Sequence, residues 1–171
     1  MRAPDGRAGA GILGAWRFIF RGARRIRWWC RGFTIGAWRR WTAPTLVARA
    51  QYKWEDNRIG GSTAPIRTEA GWLVLYHGVE TVNAAMRRVI YRLGAMMLDL
   101  KDPTKVIARC PHFVMAPEEY YERFGLHIPN VIFPTGAVVR EGMLYLYYGC
   151  CDTSISLATV GLADLVRHVT G

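Results

Sequence analysis

A strand-like unit of eight residues occurs twice in this chain, 71 positions apart. Gly71 to Gly78 (GWLVLYHG) returns as Gly142 to Gly149 (GMLYLYYG). Each copy is followed by a second strand-like run, Tyr91–Leu100 after the first and Ile155–Leu165 after the second. No apolar pattern of helical length separates the paired runs. Repeated strand pairs of this kind predict repeated antiparallel sheets, as in the blades of a β-propeller.

The remaining patterns agree with an all-β fold. Arg140-Glu141-Gly142 precedes the second copy and predicts a hairpin turn. The aromatic and branched residues of Trp72–Tyr76 predict a strand that is buried on both faces, and the continuous apolar run Gly136–Val139 predicts a second buried strand. Pro117–Arg123 is interpreted as a short helical turn, and Leu162–Val169 as a final short helix or strand.

Charge divides the chain into two parts. Residues 1–49 hold 11 of the 23 Lys and Arg residues and one of the 13 acidic residues, so the net charge of +10 lies entirely in this part. The rest of the chain is neutral. The high isoelectric point is therefore a property of the amino-terminal arm, and it does not indicate that the folded part binds nucleic acid.

The arm, residues 1–40, mixes arginine with tryptophan and glycine. We interpret it as an irregular basic segment that is disordered or not native to the domain, for example a translated upstream or out-of-frame sequence. A targeting or membrane-surface segment and a nucleic-acid contact are the alternatives. Its longest uncharged stretch, Ala8–Trp16, is too short to span a bilayer. Residues 41–171 are expected to form the folded domain.

The cysteines indicate neither a metal site nor a disulfide framework. Cys30, Cys110, Cys150 and Cys151 show no CxxC spacing and no paired histidines. Zinc binding is therefore not expected. Reduced thiols in the cytoplasm are the default interpretation.

Four polar residues lie at the ends of the predicted strands. Arg58 precedes a short strand, His77 ends the first copy of the repeat, Tyr91 opens the run after it, and Asp152 follows the second copy. His77 and Asp152 occupy related places in the two copies. In a propeller, such places face a shared axial pocket.

The chemistry of these residue types suits an anion and a sugar. Arginine offers a planar fork of donors, histidine a switchable donor and tyrosine a neutral donor, which together suit an oxyanion. The carboxylate of Asp152 can accept two hydrogen bonds from sugar hydroxyls. Each residue also has a structural interpretation: a solvated arginine, a packed histidine or tyrosine, and an Asx turn at Asp152-Thr153. Taken singly, none of them defines a function.

The segments around these residues resemble glycoside hydrolase family 130, the family of mannoside phosphorylases and related β-mannosidases. Order and spacing agree from about Trp41 to Leu165. The resemblance rests on WEDNRIGG from Trp54, PIRTEAGWLVLYHGV from Pro65, YRLGAMMLDLKDPTKVIAR from Tyr91, PNVIFP from Pro129 and LYLYYGCCDT from Leu144.

The resemblance implies a five-bladed β-propeller, of which residues 41–171 would supply the carboxy-terminal part, about two to three blades. It also implies that inorganic phosphate, acting as co-substrate without a cofactor or metal, cleaves β-mannosides with inversion and releases mannose 1-phosphate. In the family, residues at the positions of Arg58, His77 and Tyr91 hold the phosphate. The residue at the position of Asp152 lies at the mannosyl subsite.

The resemblance also implies a proton-donating residue that this sequence does not contain. The family's proton-donating aspartate lies in a Glu-Asp-Pro-Arg segment of the amino-terminal half, whereas the single Asp-Pro pair here, Asp102-Pro103, belongs to another motif. We therefore expect no catalytic residue in this chain. We expect a carboxy-terminal fragment with little phosphorolytic activity by itself, since a missing general acid costs about 10²–10⁴-fold.

Alternatives to a phosphorylase remain open. Family phosphorylases often carry lysine at the position of Arg58, and the arginine keeps the positive charge, which favours a phosphorylase. The alternatives are a β-mannoside hydrolase of the same family and a noncatalytic sugar-binding protein. The expected partners are mannose-containing oligosaccharides and phosphate, with neither nucleic acid nor a membrane, and self-association through open sheet edges is expected as well.

Overall fold

A computed structural model describes residues 17–18, 25–29 and 45–171 of the chain. These residues form eleven strands, one 3₁₀ helix and two α-helices. In chain order the elements are β1 (Arg17–Phe18), β2 (Arg25–Trp29), β3 (Thr45–Arg49), the 3₁₀ helix (Lys53–Glu55), β4 (Arg58–Gly61), β5 (Ile66–Arg67), β6 (Trp72–Asn83), β7 (Arg88–Leu98), β8 (Val106–Arg109), α1 (Tyr120–Arg123), β9 (Ile132–Arg140), β10 (Met143–Cys150), β11 (Ser154–Gly161) and α2 (Leu162–Thr170).

The strands form three antiparallel sheets. The large sheet has the order β4-β6-β7-β8, with β5 also paired to β6. The second sheet has the order β9-β10-β11, and the third has the order β1-β2-β3. The two copies of the repeated unit are β6 and β10, and each pairs with the strand that follows it. The prediction of repeated antiparallel sheets is therefore confirmed, and the described structure is built mainly of strands.

Two hairpins of the second sheet turn on residues in the left-handed region. Glu141 and Gly142, between β9 and β10, have φ values of 51° and 76°. Cys151 and Asp152, between β10 and β11, have φ values of 48° and 56°. Two successive positive φ values match the twist of a tight β-hairpin, and Asp and Gly tolerate them best. The predicted hairpin at Arg140-Glu141-Gly142 is confirmed, and Asp152 lies at the tip of the next one.

The main core lies between the large sheet and the second sheet. Leucines of β6 and β7 pack against leucines of β10, and α2 covers one end of this layer with Leu165 and Val169. Burying each such side chain contributes about 1.5–3 kcal/mol. The last element, α2, is a helix, which is one of the two forms predicted for Leu162–Val169.

The opposite face of the large sheet is covered by Trp54. Its indole lies across the strands at two glycines, where a Cβ at Gly78 would be 2.7 Å from Cε3 and a Cβ at Gly94 would be 2.6 Å from Cη2. Trp54 also stacks on Tyr76 and donates its ring N–H to the carbonyl oxygen of Pro111. Since β6 is covered on both faces, the predicted burial of Trp72–Tyr76 is confirmed from Leu73 onward.

Two expectations from the sequence are wrong in part. Gly136–Val139 is a strand, but Val138 and Val139 are 56% and 39% exposed, because β9 is an edge strand whose far end nothing in the described chain covers. The arm is not irregular at β1 and β2. There, an alternation of arginine with apolar residues forms strands, and β2 pairs with β3. The rest of residues 1–40 lies outside the described residues.

Candidate functional site

Three adjacent strands bring the predicted phosphate-binding residues onto one face of the large sheet. Arg58 of β4 and Tyr91 of β7 both lie opposite Val79 of the strand between them, β6. His77 is two positions before Val79, and alternate residues of a strand point to the same side. The register of these strands therefore brings Arg58, His77 and Tyr91 together.

Arg58 and Tyr91 are in direct contact. The guanidinium group of Arg58 donates a hydrogen bond to the hydroxyl of Tyr91 and lies 5.4 Å from the centroid of its ring. Tyr91 is only 7% exposed, whereas Arg58 is exposed. Within residues 45–171 no carboxylate forms an ion pair with Arg58. Its positive charge is therefore available to an anion from solution.

His77 is held in the same cluster as a neutral ring. It is 3% exposed, and its ring centroid lies 6.0 Å from that of Tyr91 and 4.7 Å from that of Phe133. Burial, and secondly the positive charge of Arg58, lowers the pKa of His77 to about 4. At neutral pH its imidazole is uncharged, so one ring nitrogen can donate a hydrogen bond and the other can accept one. The nitrogen Nδ1 lies 3.2 Å from the hydroxyl oxygen of Ser62.

Asp152 lies at the edge of this cluster rather than inside it. It is exposed at the tip of the β10–β11 hairpin. The adjacent residue, Cys151, packs with Val79 and Tyr91, and its N–H donates to the carbonyl oxygen of Val131 at 3.3 Å. Val131 is in turn bridged to Tyr91. The hairpin with Asp152 thus borders the Arg58–His77–Tyr91 cluster, and the roles of all four residues stay predictions.

Sequence reasoning gave no role to two members of the cluster. Ser62 follows β4 and lies between two of the segments singled out, and Phe133 belongs to the PNVIFP segment. Neither carries a titratable group, and position in the chain gave no sign that they would contact His77. Only the pairing of β4 with β6 and the packing of the second sheet reveal these contacts.

A buried ion pair supports the segment that leads into Arg58. Glu55 is fully buried, and both of its carboxylate oxygens accept from Nη2 of Arg109 at 2.8 Å. Glu55 also accepts from the N–H groups of Gln51 and Tyr52, and Nε of Arg109 donates to the hydroxyl of Tyr76 at 3.1 Å. Burial raises the pKa of Tyr76 well above its usual range. These contacts fix the turn that precedes β4.

The single Asp-Pro pair lies far from the cluster. Asp102 is in the turn beyond the end of β7 at Leu98, whereas Tyr91 is near the start of the same strand. At about 3.3 Å per residue, seven residues of strand separate the two ends by roughly 20 Å. The carboxylate of Asp102 accepts from Thr104 and pairs with Lys105. Asp102 therefore supplies no proton donor at this site.

The residues of the cluster suit an anion better than a metal. Arginine, neutral histidine and tyrosine all present hydrogen-bond donors, and a fixed set of donors is what a phosphate group requires. In the described part of the chain, no group of three or more His, Cys, Asp and Glu side chains is placed to hold a metal ion. No helix among the described residues is long and apolar enough to cross a bilayer.

Comparisons with known proteins agree on one family. A family model described as beta-1,4-mannooligosaccharide phosphorylase matches residues 36–170. The beta-1,2-mannobiose phosphorylase of Thermoanaerobacter sp. (strain X514) is 47% identical over 109 residues, covering 64% of this chain and 34% of that protein. The beta-1,4-mannooligosaccharide phosphorylase of Ruminococcus albus is 39% identical over 119 residues, covering 68% and 34%. The chain thus spans about a third of the length of these relatives.

A solved structure shows the same relationship in three dimensions. The beta-1,2-mannobiose phosphorylase of Listeria innocua, in complex with beta-1,2-mannobiose, superposes with a TM-score of 0.70 at 30% identity. The superposition covers 90% of this chain and 40% of that one. Nearly all of the chain therefore has a counterpart in a larger protein, and that counterpart is less than half of it.

Proposed function

The chain belongs to glycoside hydrolase family 130, and on that premise we propose that it serves the phosphorolysis of β-mannosides by binding inorganic phosphate and the mannosyl unit. The observation that carries the proposal is the contact of Arg58 with Tyr91 beside the buried His77. The relatives named as mannoside phosphorylases support the same reaction class.

Each residue has a distinct role toward phosphate. Arg58 supplies the positive charge and a planar fork of donors, and Tyr91 orients that fork through its hydroxyl. His77 contributes an uncharged imidazole beside the Arg58–Tyr91 pair, and a neutral ring can donate one hydrogen bond. A neutral ring keeps this role constant across the physiological pH range. Asp152 accepts hydrogen bonds from hydroxyls of the mannosyl unit.

The reaction also needs a proton donor. A phosphate oxygen bonds to the anomeric carbon, the bond from that carbon to the glycosidic oxygen breaks, and this oxygen must receive a proton. None of Arg58, His77 and Tyr91 is suited to this step, because arginine does not deprotonate, the pKa of His77 is about 4 and the phenol of Tyr91 bonds to Arg58. The chain therefore contributes binding to the reaction, and we propose that it has little phosphorolytic activity alone.

The architecture is part of the same proposal. We propose that the large sheet and the second sheet are successive blades of a five-bladed propeller. β11 is an edge strand with Ile155 and Leu157 exposed at 77% and 49%, which favours pairing with another chain. Size-exclusion chromatography tests self-association: elution as a monomer at every concentration would refute it. We also propose a cytoplasmic location, which is the default interpretation of the cysteine pattern in the sequence.

Phosphate binding is tested by thermal melting and calorimetric titration of the purified chain. Phosphate at 100 times its dissociation constant is expected to stabilise the wild type by about 2.7 kcal/mol. Arg58→Gln should remove this stabilisation, whereas Arg140→Gln, which removes an exposed arginine of the β9–β10 hairpin, should keep it. A wild type that phosphate does not stabilise would refute the proposal.

Product analysis separates phosphorolysis from hydrolysis. β-1,2-Mannobiose is incubated with the chain, with and without phosphate, and mannose and mannose 1-phosphate are quantified. Any turnover is expected to depend on phosphate and to give mannose 1-phosphate. Free mannose released at the same rate in the absence of phosphate would favour a hydrolase instead.

A further inference from the structure

The second sheet has apolar side chains on the side that faces away from the main core. Side chains alternate along its central strand, β10, and Leu144 and Leu146 pack in the main core. Tyr147 therefore points to the other side, where the register places Leu157 of β11 opposite it. We call this side the outer face, and its exposed large apolar residues are Val138, Met143, Tyr147, Ile155 and Leu157.

The outer face is open to solvent in the described part of the chain. Tyr147, on the central strand, is 45% exposed, and Val138 and Ile155 on the flanking strands are 56% and 77% exposed. An antiparallel sheet with one face in water normally alternates apolar with polar residues. The second sheet has large apolar residues on both sides, as a layer between two other layers does. Another protein surface is therefore expected to cover the outer face.

The size of the outer face fits a small protein interface. At roughly 150–250 Å² for a fully exposed large side chain, its five exposed residues present about 400–600 Å² of apolar surface. A patch of about this size is the largest that a monomeric protein usually exposes. Two such faces together bury about 1,000 Å², which is close to the lower limit for a specific interface. Association through the outer face is therefore expected to be weak and to depend on concentration.

The outer face carries almost no charge. Arg140, the last residue of β9, is the single charged residue in β9, β10 and β11, and it pairs with Glu141 in the adjacent turn. An interface across a two-fold axis places a patch against a copy of itself, so a charge at its centre meets the same charge. An uncharged patch avoids this repulsion. The outer face is therefore complementary to a second copy of itself.

We propose that two copies of this chain associate through their outer faces, with one second sheet packed against the other. Sheets that pack in this way lie about 10 Å apart, with their strands about 30° from parallel. Tyr147 is then at the centre of the interface, where tyrosine is enriched in protein complexes. This contact differs from pairing through the edge of β11, because no backbone hydrogen bonds join the two sheets.

Sedimentation velocity of the full chain at about 1–500 μM tests the proposal, and the wild type should dimerise with a dissociation constant of about 1–100 μM. Tyr147→Lys and Val138→Lys place like charges in the interface and should each weaken the dimer by about 10-fold or more. Tyr147→Phe keeps the ring and should dimerise as the wild type does. The matched control is Val82→Lys, which replaces a valine of β6 that is 57% exposed and lies outside the second sheet. It should leave the dimer unchanged.

Three results would overturn the proposal. A wild type that stays monomeric up to about 500 μM would leave the outer face to a partner of another sequence, such as the parts of the relatives that this chain does not match. Association that survives both lysine variants of the second sheet would place the contact elsewhere, for example at the edge of β11. Equal weakening by Val82→Lys would show a general effect of added charge.

The proposal does not depend on phosphate binding. A wild type that dimerises but is not stabilised by phosphate would refute the proposed function alone, and the reverse result would refute the dimer alone. The replaced side chains are exposed, so circular dichroism should show all variants folded. Tyr147 and Val138 lie on different strands, so either lysine variant decides the question if the other does not fold.

Discussion

Replacing Glu55 by glutamine is expected to cost more stability than any change of a surface charge in this chain. The side chain of Glu55 is fully buried, and its charge compensates Arg109, whose side chain is 8% exposed. Glutamine keeps the size and one acceptor oxygen but removes the negative charge. The guanidinium group is then left buried without a counter-charge.

The expected magnitude follows from this burial. Removing one partner of a buried ion pair costs about 3–5 kcal/mol, because the desolvation of the remaining charge is no longer offset. Removing both charges while keeping the acceptor costs far less, since no buried charge remains. Glu55→Gln should therefore lose about 3–5 kcal/mol. The double variant Glu55→Gln with Arg109→Met, which keeps an acceptor for the N–H groups of Gln51 and Tyr52, should lose less than the single change.

Urea unfolding, followed by circular dichroism, measures the free energy of unfolding of both variants, and thermal unfolding measures their melting temperatures. At about 2–4 °C per kcal/mol, the melting temperature of Glu55→Gln should fall by roughly 10 °C. Arg140→Gln, which breaks an ion pair between side chains that are 76% and 81% exposed, serves as the control and should change stability by no more than about 0.5 kcal/mol. A loss below about 1 kcal/mol in Glu55→Gln would refute the reasoning. So would a double variant less stable than the single one.

Three further predictions concern the site and the main core. Because the pKa of His77 is lowered to about 4 in the folded state and is about 6.5 when unfolded, the unfolded chain binds the extra proton and stability should fall between pH 6.5 and 4. The part due to His77 is about 3 kcal/mol and should disappear in His77→Gln, as urea unfolding across this pH range will show. Since the charge of Arg58 contributes to this lowering, Arg58→Gln should raise the pKa of His77 in an NMR titration, and an unchanged pKa would contradict the assigned cause. Tyr148 donates to the buried carboxylate of Glu122 at 2.7 Å, so Tyr148→Phe should cost about 1–3 kcal/mol by chemical denaturation, and a neutral effect would show that water replaces the phenol.

The sequence predicted those features that depend on local pattern and on repetition. Two copies of one strand unit give two strand pairs, because the same alternation of side chains favours the same pairing in both. The hairpin at Glu141 and Gly142 was predictable from Gly142, because glycine tolerates positive φ, whereas the φ of 51° at Glu141 is one that glutamate rarely adopts. Arg58, His77 and Tyr91 were singled out by their predicted places at strand ends, but this is wrong for two of them. His77 and Tyr91 lie inside their strands, because β6 continues to Asn83 and β7 already begins at Arg88.

Features that depend on contacts between distant segments could not be predicted. Glu55 and Arg109 are 54 residues apart, and nothing in either local pattern indicates that they meet. The run Gly136–Val139 is apolar whether or not another layer covers it, so its exposure depends on the extent of the neighbouring sheet. The strands in the arm were missed because its high charge concealed the alternation in Arg25–Trp29.

The indole of Trp54 across Gly78 and Gly94 has a consequence for how such sequences change over time. A side chain at Gly78 would meet both the ring and Cβ of Glu55, and one at Gly94 would meet both the ring and Tyr76. A smaller residue at position 54 would therefore not by itself make room at either glycine. In a collection of related chains, both glycines should be retained wherever the tryptophan, the tyrosine and the glutamate occur together.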